Sequence, residues 1–432
     1  MSISHIKASN FRSFRELNAS LEGLSVIVGA NASGKTNFVQ VFRFLRDAFR
    51  EGLDNAIAMQ GGPSSIANMK IGCKDNVVIE ATLDSILYNW PWPVLREKGR
   101  VKSGYYAVKI RRAVYRLELS FKVRGKGMKQ AADRLSLDCD FCEVKRKGKN
   151  LAPTDKKLFD GTITISSTSK RKRSAVSVKC NSDVPIDSDD LFPKPLRQWF
   201  MKRKGRGDVP SAPYFDLLGI NEEFRGISIY DFDPRVAKKG TPIAGKARLE
   251  EDGSNLALVL KRILGESEDK ERMLRIFREI LPFVEDLDTA DSADRNVLMR
   301  LREKYCHESY LFAPFMSDGT VNVAALVVAL YFTRKGGLLI IEEPERNVHP
   351  HLIDKIVEMM EDASRERQII ATTHNPILVG SINPNKVLLV KRDQDGFSLV
   401  ERPADQKEFQ EFLSKEIGLG TLLEQNLLSD LR

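Results

Sequence analysis

Two short stretches nearly three hundred residues apart carry the residue types that handle a magnesium-bound triphosphate. Gly29-Ala-Asn-Ala-Ser-Gly34-Lys35-Thr36 stands near the start, and Leu338-Leu-Ile-Ile-Glu342-Glu343-Pro344 near the end. The first fits the pattern GxxxxGK[ST], a glycine-rich loop whose backbone N–H groups can approach phosphate oxygens closely. Gly29 and Gly34 permit that approach, Lys35 reaches the β and γ phosphates of ATP, and the Thr36 hydroxyl is placed to ligate Mg²⁺. Asn31, Ser33 and Asn37 complete the expected ATP-contacting set, although spacing alone gives Asn37 no role of its own. In the second stretch, four apolar residues of a buried strand end in two carboxylates. Glu342 is expected to hold Mg²⁺ through water, and Glu343 to polarise the attacking water as general base. The plain alternative is an acidic turn after a core strand. His374, closing the run from Arg367 to Thr373, could hydrogen-bond the γ-phosphate or the lytic water, although a lone histidine after a strand is more often structural.

These residues need elements to position them. A mostly apolar run from Leu24 to Val28 precedes the glycine loop, and Phe38, Val41, Phe42, Leu45 and Phe49 follow it at helical spacing. That order is strand, loop, helix, with a helix N-terminus pointed at the anion. Val321 to Phe332 reads as a helix apolar enough to be buried. Ser317-Asp318-Gly319-Thr320 before it reads either as a simple N-cap or as an anion-binding helix start.

Together these pieces resemble the ABC-type ATPase heads of the SMC, RecF and OLD group, in particular compact bacterial ATPases with "NFRSF", "EEPE…HP" and "TTH" motifs. Here the motifs stand as Asn10-Phe-Arg-Ser-Phe14, Glu342-Glu-Pro-Glu345 with His349-Pro350, and Thr372-Thr-His374. The resemblance implies an α/β fold: a P-loop NTPase head of ABC/RecF type with a basic β-rich insertion and a small helical subdomain. It makes Ser317, Asp318 and Gly319 a signature loop acting in trans, on the γ-phosphate held by another subunit, and Asn347 to Pro350 a dimer-contacting loop. It makes His374 the switch histidine and Lys35, Glu343 and His374 the catalytic set, with Mg²⁺ on Thr36 and Glu342. Two features depart from the wider pattern: the usual Walker B aspartate is Glu342, and the signature lacks the second glycine and the glutamine of transporters. None of Gln60, Gln130 and Gln198 has a context that makes it the Q-loop residue. The likeness covers residues 1 to about 85 and about 300 to 385, more weakly Asp252-Gly-Ser-Asn-Leu256. It further suggests a homodimer or higher oligomer around ATP that gates a separate effector, such as a nuclease, in antiphage defence or genome maintenance. The main rival is a RecF-like repair ATPase that clamps double-stranded DNA. A transporter subunit fits poorly with the long insertion between phosphate loop and signature.

Composition bounds the rest. A chain of 432 residues, 42% hydrophobic, can bury one large core and a second smaller one. No signal peptide is expected at the N-terminus and no run has the length of a membrane span, so no membrane contact and a cytoplasmic location are expected. Five scattered cysteines suit reduced thiols. Cys139 and Cys142 form a CxxC, but Leu135, Leu137, Cys139 and Phe141 alternate with polar residues, so the segment reads as a half-buried strand with the two thiols on opposite faces.

Charge is unevenly spread. Residues 96–206 hold 30 Lys and Arg against 12 Asp and Glu, a net of +18 in a chain of +9 overall. Basic clusters at 145–149, at Lys170-Arg171-Lys172-Arg173 and at 202–206 lie between or after strand-like runs: Tyr106 to Ile110, Tyr115 to Val123, and Val176 to Val178. A β-meander with basic loops is expected, suited to nucleic-acid phosphates or equally to a solubilising surface or an acidic protein. The expected divisions are therefore 1–95 (first part of the head), 96–210 (basic insertion), 211–300 (helical subdomain, with helices over Asp252–Leu264 and Glu266–Leu281) and 301–432 (second part of the head). The last includes a hairpin turning at Asp393-Gln-Asp395-Gly396. The stretch after His374 is too short for the TOPRIM nuclease of OLD relatives.

Overall fold

The computed structural model describes residues 2–84, 89–94, 104–121, 128–147, 150–170, 173–181, 220–333, 337–406 and 419–424. The chain folds into two units: residues 1–22, 36–227 and 391–400, and residues 23–35, 228–390 and 401–432.

The first unit is built on an antiparallel sheet. Its strands are β1 (Ser2–Phe11) and β2 (Phe14–Ser20), then, after β3 (Leu24–Val28) of the other unit, β4 (Val77–Asp84), β5 (Asn89–Val94), β6 (Gly104–Phe121), β7 (Met128–Lys147), β8 (Asn150–Lys170) and β9 (Arg173–Cys180). They lie in the order β2-β1-β4-β6-β7-β8-β9, with β5 also paired to β6. The runs around Tyr106 and Tyr115, expected as two strands, belong to the single strand β6. Its register with β7 breaks between Ile110 and Arg112, so a bulge stands where a turn was expected. Leu135, Leu137, Cys139 and Phe141 are buried as the alternation requires. Cys142, three residues on along an unbroken register with β6, is buried as well, as is its partner Ala107, so the second face of the strand is covered here too. Burial pushes the Cys139 thiol up to about 12, which leaves it protonated and inert. Lys170 and Arg173 pair with each other at the tip of the β8–β9 hairpin. Arg171 and Lys172 lie outside the described residues, as do Gly148, Lys149 and the whole 202–206 cluster.

Helix α1 (Lys35–Arg50) follows the glycine loop and, from Thr36 onward, belongs to the first unit. Phe38, Val41, Phe42, Leu45 and Phe49 are all buried there. Phe49 stacks on Phe224 with ring centroids 4.6 Å apart, and Phe44 packs against Phe11 at 6.3 Å. In the same unit the Arg12 guanidinium donates to Gln60 Oε1 at 2.5 Å, so the Gln60 side chain is engaged on the N-terminal strand region. The turn from Asp393 to Gly396 is closed by Gly396 N–H on the Asp393 carbonyl at 2.9 Å, as the Asp-rich hairpin sequence anticipates.

The second unit contains two sheets. Its strands, after β3, are β10 (Ser228–Tyr230), β11 (Thr241–Pro242), β12 (Val284–Asp291), β13 (Asn296–Glu303), β14 (Leu311–Phe312), β15 (Leu338–Glu342), β16 (Gln368–Thr373) and β17 (Val387–Arg392), whose turn leads back to β18 (Ser398–Glu401). Strands β10-β15-β16-β3-β17 run parallel in that order. A small antiparallel sheet orders β11-β13-β12, with β14 on β13. Four helices matter to the site: α2 (Leu256–Gly265), α3 (Ser267–Ile280), α4 (Asp318–Val327) and α5 (Ile353–Ala363). The helix expected from Asp252 starts only at Leu256, because Asp252 Oδ1 accepts the Ser254 N–H and Gly253 has a φ of +78°. The apolar segment from Val321 is buried as expected through Leu330, with Tyr331 and Phe332 half-buried, and its last five residues, Val328–Phe332, wind as a π-helical turn.

Candidate active site

Strand register brings the candidate residues of the second unit to one edge. Glu342 pairs with Thr372, Thr372 with Ile27, and Thr373 with Val28, so β15, β16 and β3 end level. The glycine loop, the two carboxylates and His374 therefore all leave the carboxyl edge of one parallel sheet, where such sheets bind ligands.

The loop is shaped for close approach. A Cβ on Gly29 would sit 2.3 Å from the Val390 carbonyl oxygen, so no side chain fits there. Gly34 has a φ of +123° and Ala32 one of +62°. Lys35 Nζ donates to the carbonyls of Gly29 at 2.7 Å and Ala30 at 3.1 Å, arching over the loop. Burial pushes its pKa down, while Glu343, Glu345 and Glu342 pull it back up, so three carboxylates of the second stretch act on this ammonium. Ser33 is buried, its N–H on the Ala30 carbonyl at 3.2 Å. Asn31 is exposed; Thr36 and Asn37, exposed and half-buried, open helix α1 directly after Lys35. The side-chain-free cradle at Gly29, the Lys35 ammonium and the hard oxygen donors of Glu342 have the chemistry to take a magnesium nucleotide.

Glu343 sits in left-handed backbone, φ +47°, an uncommon state for a non-glycine residue. Its N–H donates to the Thr372 carbonyl at 2.9 Å, so the strained residue is tied to the neighbouring strand. His374 Nδ1–H donates to Glu343 Oε1 at 2.8 Å, and Arg346 donates to Oε2 through Nε at 3.1 Å and Nη2 at 3.0 Å. Burial works against the charged carboxylate, but Arg346 and His374 outweigh it and hold the pKa of Glu343 below the usual carboxylate value. Arg346 also reaches Asp231 at 2.7 Å and the Phe232 carbonyl at 3.3 Å.

Two residues away, Glu345 is buried and its Oε1 accepts the Thr373 hydroxyl at 2.5 Å. Burial pushes its pKa up. Thr373 Oγ1 in turn accepts the Asn375 N–H at 2.9 Å, which fixes the backbone on either side of His374.

The Ser317 hydroxyl accepts the Thr320 N–H at 3.1 Å, so it caps α4. Asp318 is ion-paired to Lys238. A Cβ on Gly319 would lie 2.6 Å from the Asn347 carbonyl, and Asn347 has a φ of +61°. One turn further on, Asn322 is buried and donates its side-chain amide to the carbonyls of Pro344 at 3.1 Å and Arg346 at 2.9 Å. The start of α4 and the loop after Glu343 are thus held together at close range.

Arg346, Glu345 and Asn322 are part of this arrangement, and sequence reading did not single them out for it. Arg346 could have been found as an opposite charge three residues after Glu343, and Asn322 as the polar interruption of an apolar run. Lys170 and Arg173 belong to the other unit.

Two family models match the chain: "AAA ATPase domain" over residues 1–157 and "AAA domain, putative AbiEii toxin, Type IV TA system" over residues 273–380. Among curated proteins, the DNA replication and repair protein RecF of Desulforudis audaxviator (strain MP104C) is 38% identical over 78 residues, 17% of this chain and 22% of the relative. Endonuclease GajA of Bacillus cereus (strain VD045) is 47% identical over 47 residues, 11% of this chain and 8% of the relative. The chain thus spans less than a quarter of the length of each. A solved SMC head bound to the C-winged helix domain of ScpA is 13% identical, covering 93% of this chain and 97% of the other at a TM-score of 0.48. No helix among the described residues is long and apolar enough to cross a membrane.

Proposed function

Because the chain is an ABC-type ATPase of the SMC, RecF and OLD group, we propose that it closes ATP between two copies of itself and reopens them by hydrolysis. In this reading Lys35 and Glu343 of one copy face Ser317 and Gly319 of the other. The observation that carries it is Glu343, held in left-handed backbone between His374 and Arg346 at the strand edge that also bears the glycine loop and Lys35.

Each residue has a task in that reading. The loop N–H groups and Lys35 bind the phosphates. Thr36 and Glu342 would hold magnesium, which when bound neutralises phosphate charge. Oε2 of Glu343 accepts two hydrogen bonds from Arg346, whereas Oε1 accepts one from His374 and keeps a second lone-pair direction for an incoming water. Glu343 takes the proton of that water, and Arg346 and His374 fix the direction in which it does so. His374 lies beside the same position and is placed to donate to the γ-phosphate or the water.

Ser317 and Gly319 serve the neighbouring copy. Asn322 ties the helix they open to the loop carrying Glu343 and Arg346, so engagement of one site bears on the other. ATP occupancy then sets assembly, and assembly gates a separate effector protein. The GajA likeness favours a nuclease as the effector class, in antiphage defence or genome maintenance. The RecF likeness and the basic strand tips favour a second reading, an ATP-dependent clamp on double-stranded DNA.

The variant Glu343→Gln tests the catalytic part. It should bind ATP normally, lose turnover by about 10²- to 10⁴-fold and accumulate an ATP-held oligomer on sizing with light scattering. Phosphate release at the parent rate would refute the general-base role.

A further inference from the structure

Behind the parallel sheet of the second unit, at the opposite end of β16 from His374, lies a cavity of about 120 Å³. It is lined by Arg272 of α3, Thr333 after the π-helical turn, Asp362 at the end of α5, and Arg365, Glu366 and Arg367 leading into β16. Among the described residues its walls hold three arginines and two acidic residues.

The groups are not equivalent. Arg365 and Asp362 pair with each other at 3.8 Å on the open side, and Glu366 is exposed too. Arg367 is only 6% exposed. Its Nη1 donates to the Ala329 carbonyl at 3.2 Å and to Thr333 Oγ1 at 2.8 Å, both neutral acceptors. Its Nε is buried without an acceptor, and among the described residues no carboxylate lies within ion-pair distance of it. Burial pushes its pKa down, but an arginine stays charged at neutral pH. A buried charge is costly unless it is paired, so this guanidinium calls for an anion that the fold does not supply.

The cavity beside it has the size for one. Its volume is that of about four water molecules, enough for a small oxyanion and too little for a nucleotide. Arg272 leans over the mouth, its guanidinium 5.3 Å from the Phe332 ring and 5.9 Å from that of Tyr331. Of the acceptors of Arg367, Ala329 lies within a π-helical turn and Thr333 directly follows it, a local distortion that recurs at functional positions.

We propose that this cavity is a second ligand site, for a small oxyanion, free phosphate or a carboxylate, gripped by Arg367 with Arg272 and Thr333. The site stands apart from the nucleotide. Arg367 precedes β16, whose far end carries Thr373 and His374 about 20 Å away, and Thr333 closes the segment that begins with Ser317 on α4. An anion held there clamps the roots of the two elements that present His374 and Ser317, and so is placed to regulate hydrolysis.

The test uses the full chain carrying Lys35→Ala, so that anion binding at the glycine loop does not contribute. Its thermal midpoint is followed against phosphate and against acetate, with sodium chloride matched for ionic strength. The expected result is a saturating rise with at least one anion, abolished by adding Arg367→Met, which keeps the length of the side chain. Phosphate alone acting assigns phosphate, and acetate alone assigns a carboxylate. Should Arg367→Met fail to fold, Thr333→Val and Arg272→Gln should each raise the half-saturating concentration about tenfold. Equal shifts with and without these groups, or no shift beyond chloride, would overturn the proposal.

Discussion

His374 and Glu343, 31 positions apart in the chain, share a hydrogen bond of 2.8 Å between Nδ1 and Oε1. The bond exists because β15 and β16 are parallel neighbours in register, Glu342 opposite Thr372, so the residues after each strand meet. Arg346 closes the other side of the same carboxylate.

That arrangement predicts a pH effect. Arg346 favours the charged form of Glu343 and helps to hold its pKa below the ordinary value. A base with a lowered pKa is protonated only at correspondingly low pH, so the acid limb of the rate profile should lie low. Arg346→Met removes the stabilising charge, the pKa rises and the limb moves to higher pH. Profiles of kcat/KM against pH for the two proteins show this; coincident acid limbs would mean that Arg346 does not act on the base.

Much of this site was legible in the sequence because its parts are local: a glycine loop between strand and helix, and carboxylates ending an apolar strand. The turn at Asp393 to Gly396 was legible for the same reason, since its chemistry lies within four residues. What could not be read were partners brought by tertiary contact. Nothing near Asn322 in the chain indicates that its amide reaches carbonyls 22 and 24 residues ahead. Likewise, the bulge that joins two runs into β6 and the covering of the strand face that carries Cys142 come from the rest of the fold, and alternation alone cannot report them.

Asn322 yields a second prediction, on the link between signature and catalytic loop. In Asn322→Leu the Pro344 and Arg346 carbonyls lose their donor, at a cost of about 1–3 kcal/mol for each one left buried and unsatisfied. Urea unfolding should show that loss. Turnover at saturating ATP, measured where the variant is fully folded, should fall as well; unchanged turnover would separate this link from catalysis.

The basic hairpin tip bears on the nucleic-acid reading. Replacing Lys170, Arg171, Lys172 and Arg173 by Gln should reduce the slope of log affinity for duplex DNA against log salt by up to roughly 0.9 for each phosphate that is no longer neutralised. Fluorescence anisotropy over a salt series measures it. If the parent protein binds no duplex at low salt, the clamp reading is removed and the effector reading stands alone.

Mixing two inactive variants tests the central claim, one ATP site built from two copies. Lys35→Ala disables the phosphate side, and Ser317→Arg blocks the signature side at the cost of a helix cap, about 1 kcal/mol. Neither should hydrolyse ATP alone. In an equimolar mixture, half of the dimers pair one variant with the other, and each such dimer has one intact site of two. The account predicts recovery of about one quarter of the parent rate, for a closed two-fold dimer. A mixture as inactive as its components would contradict it.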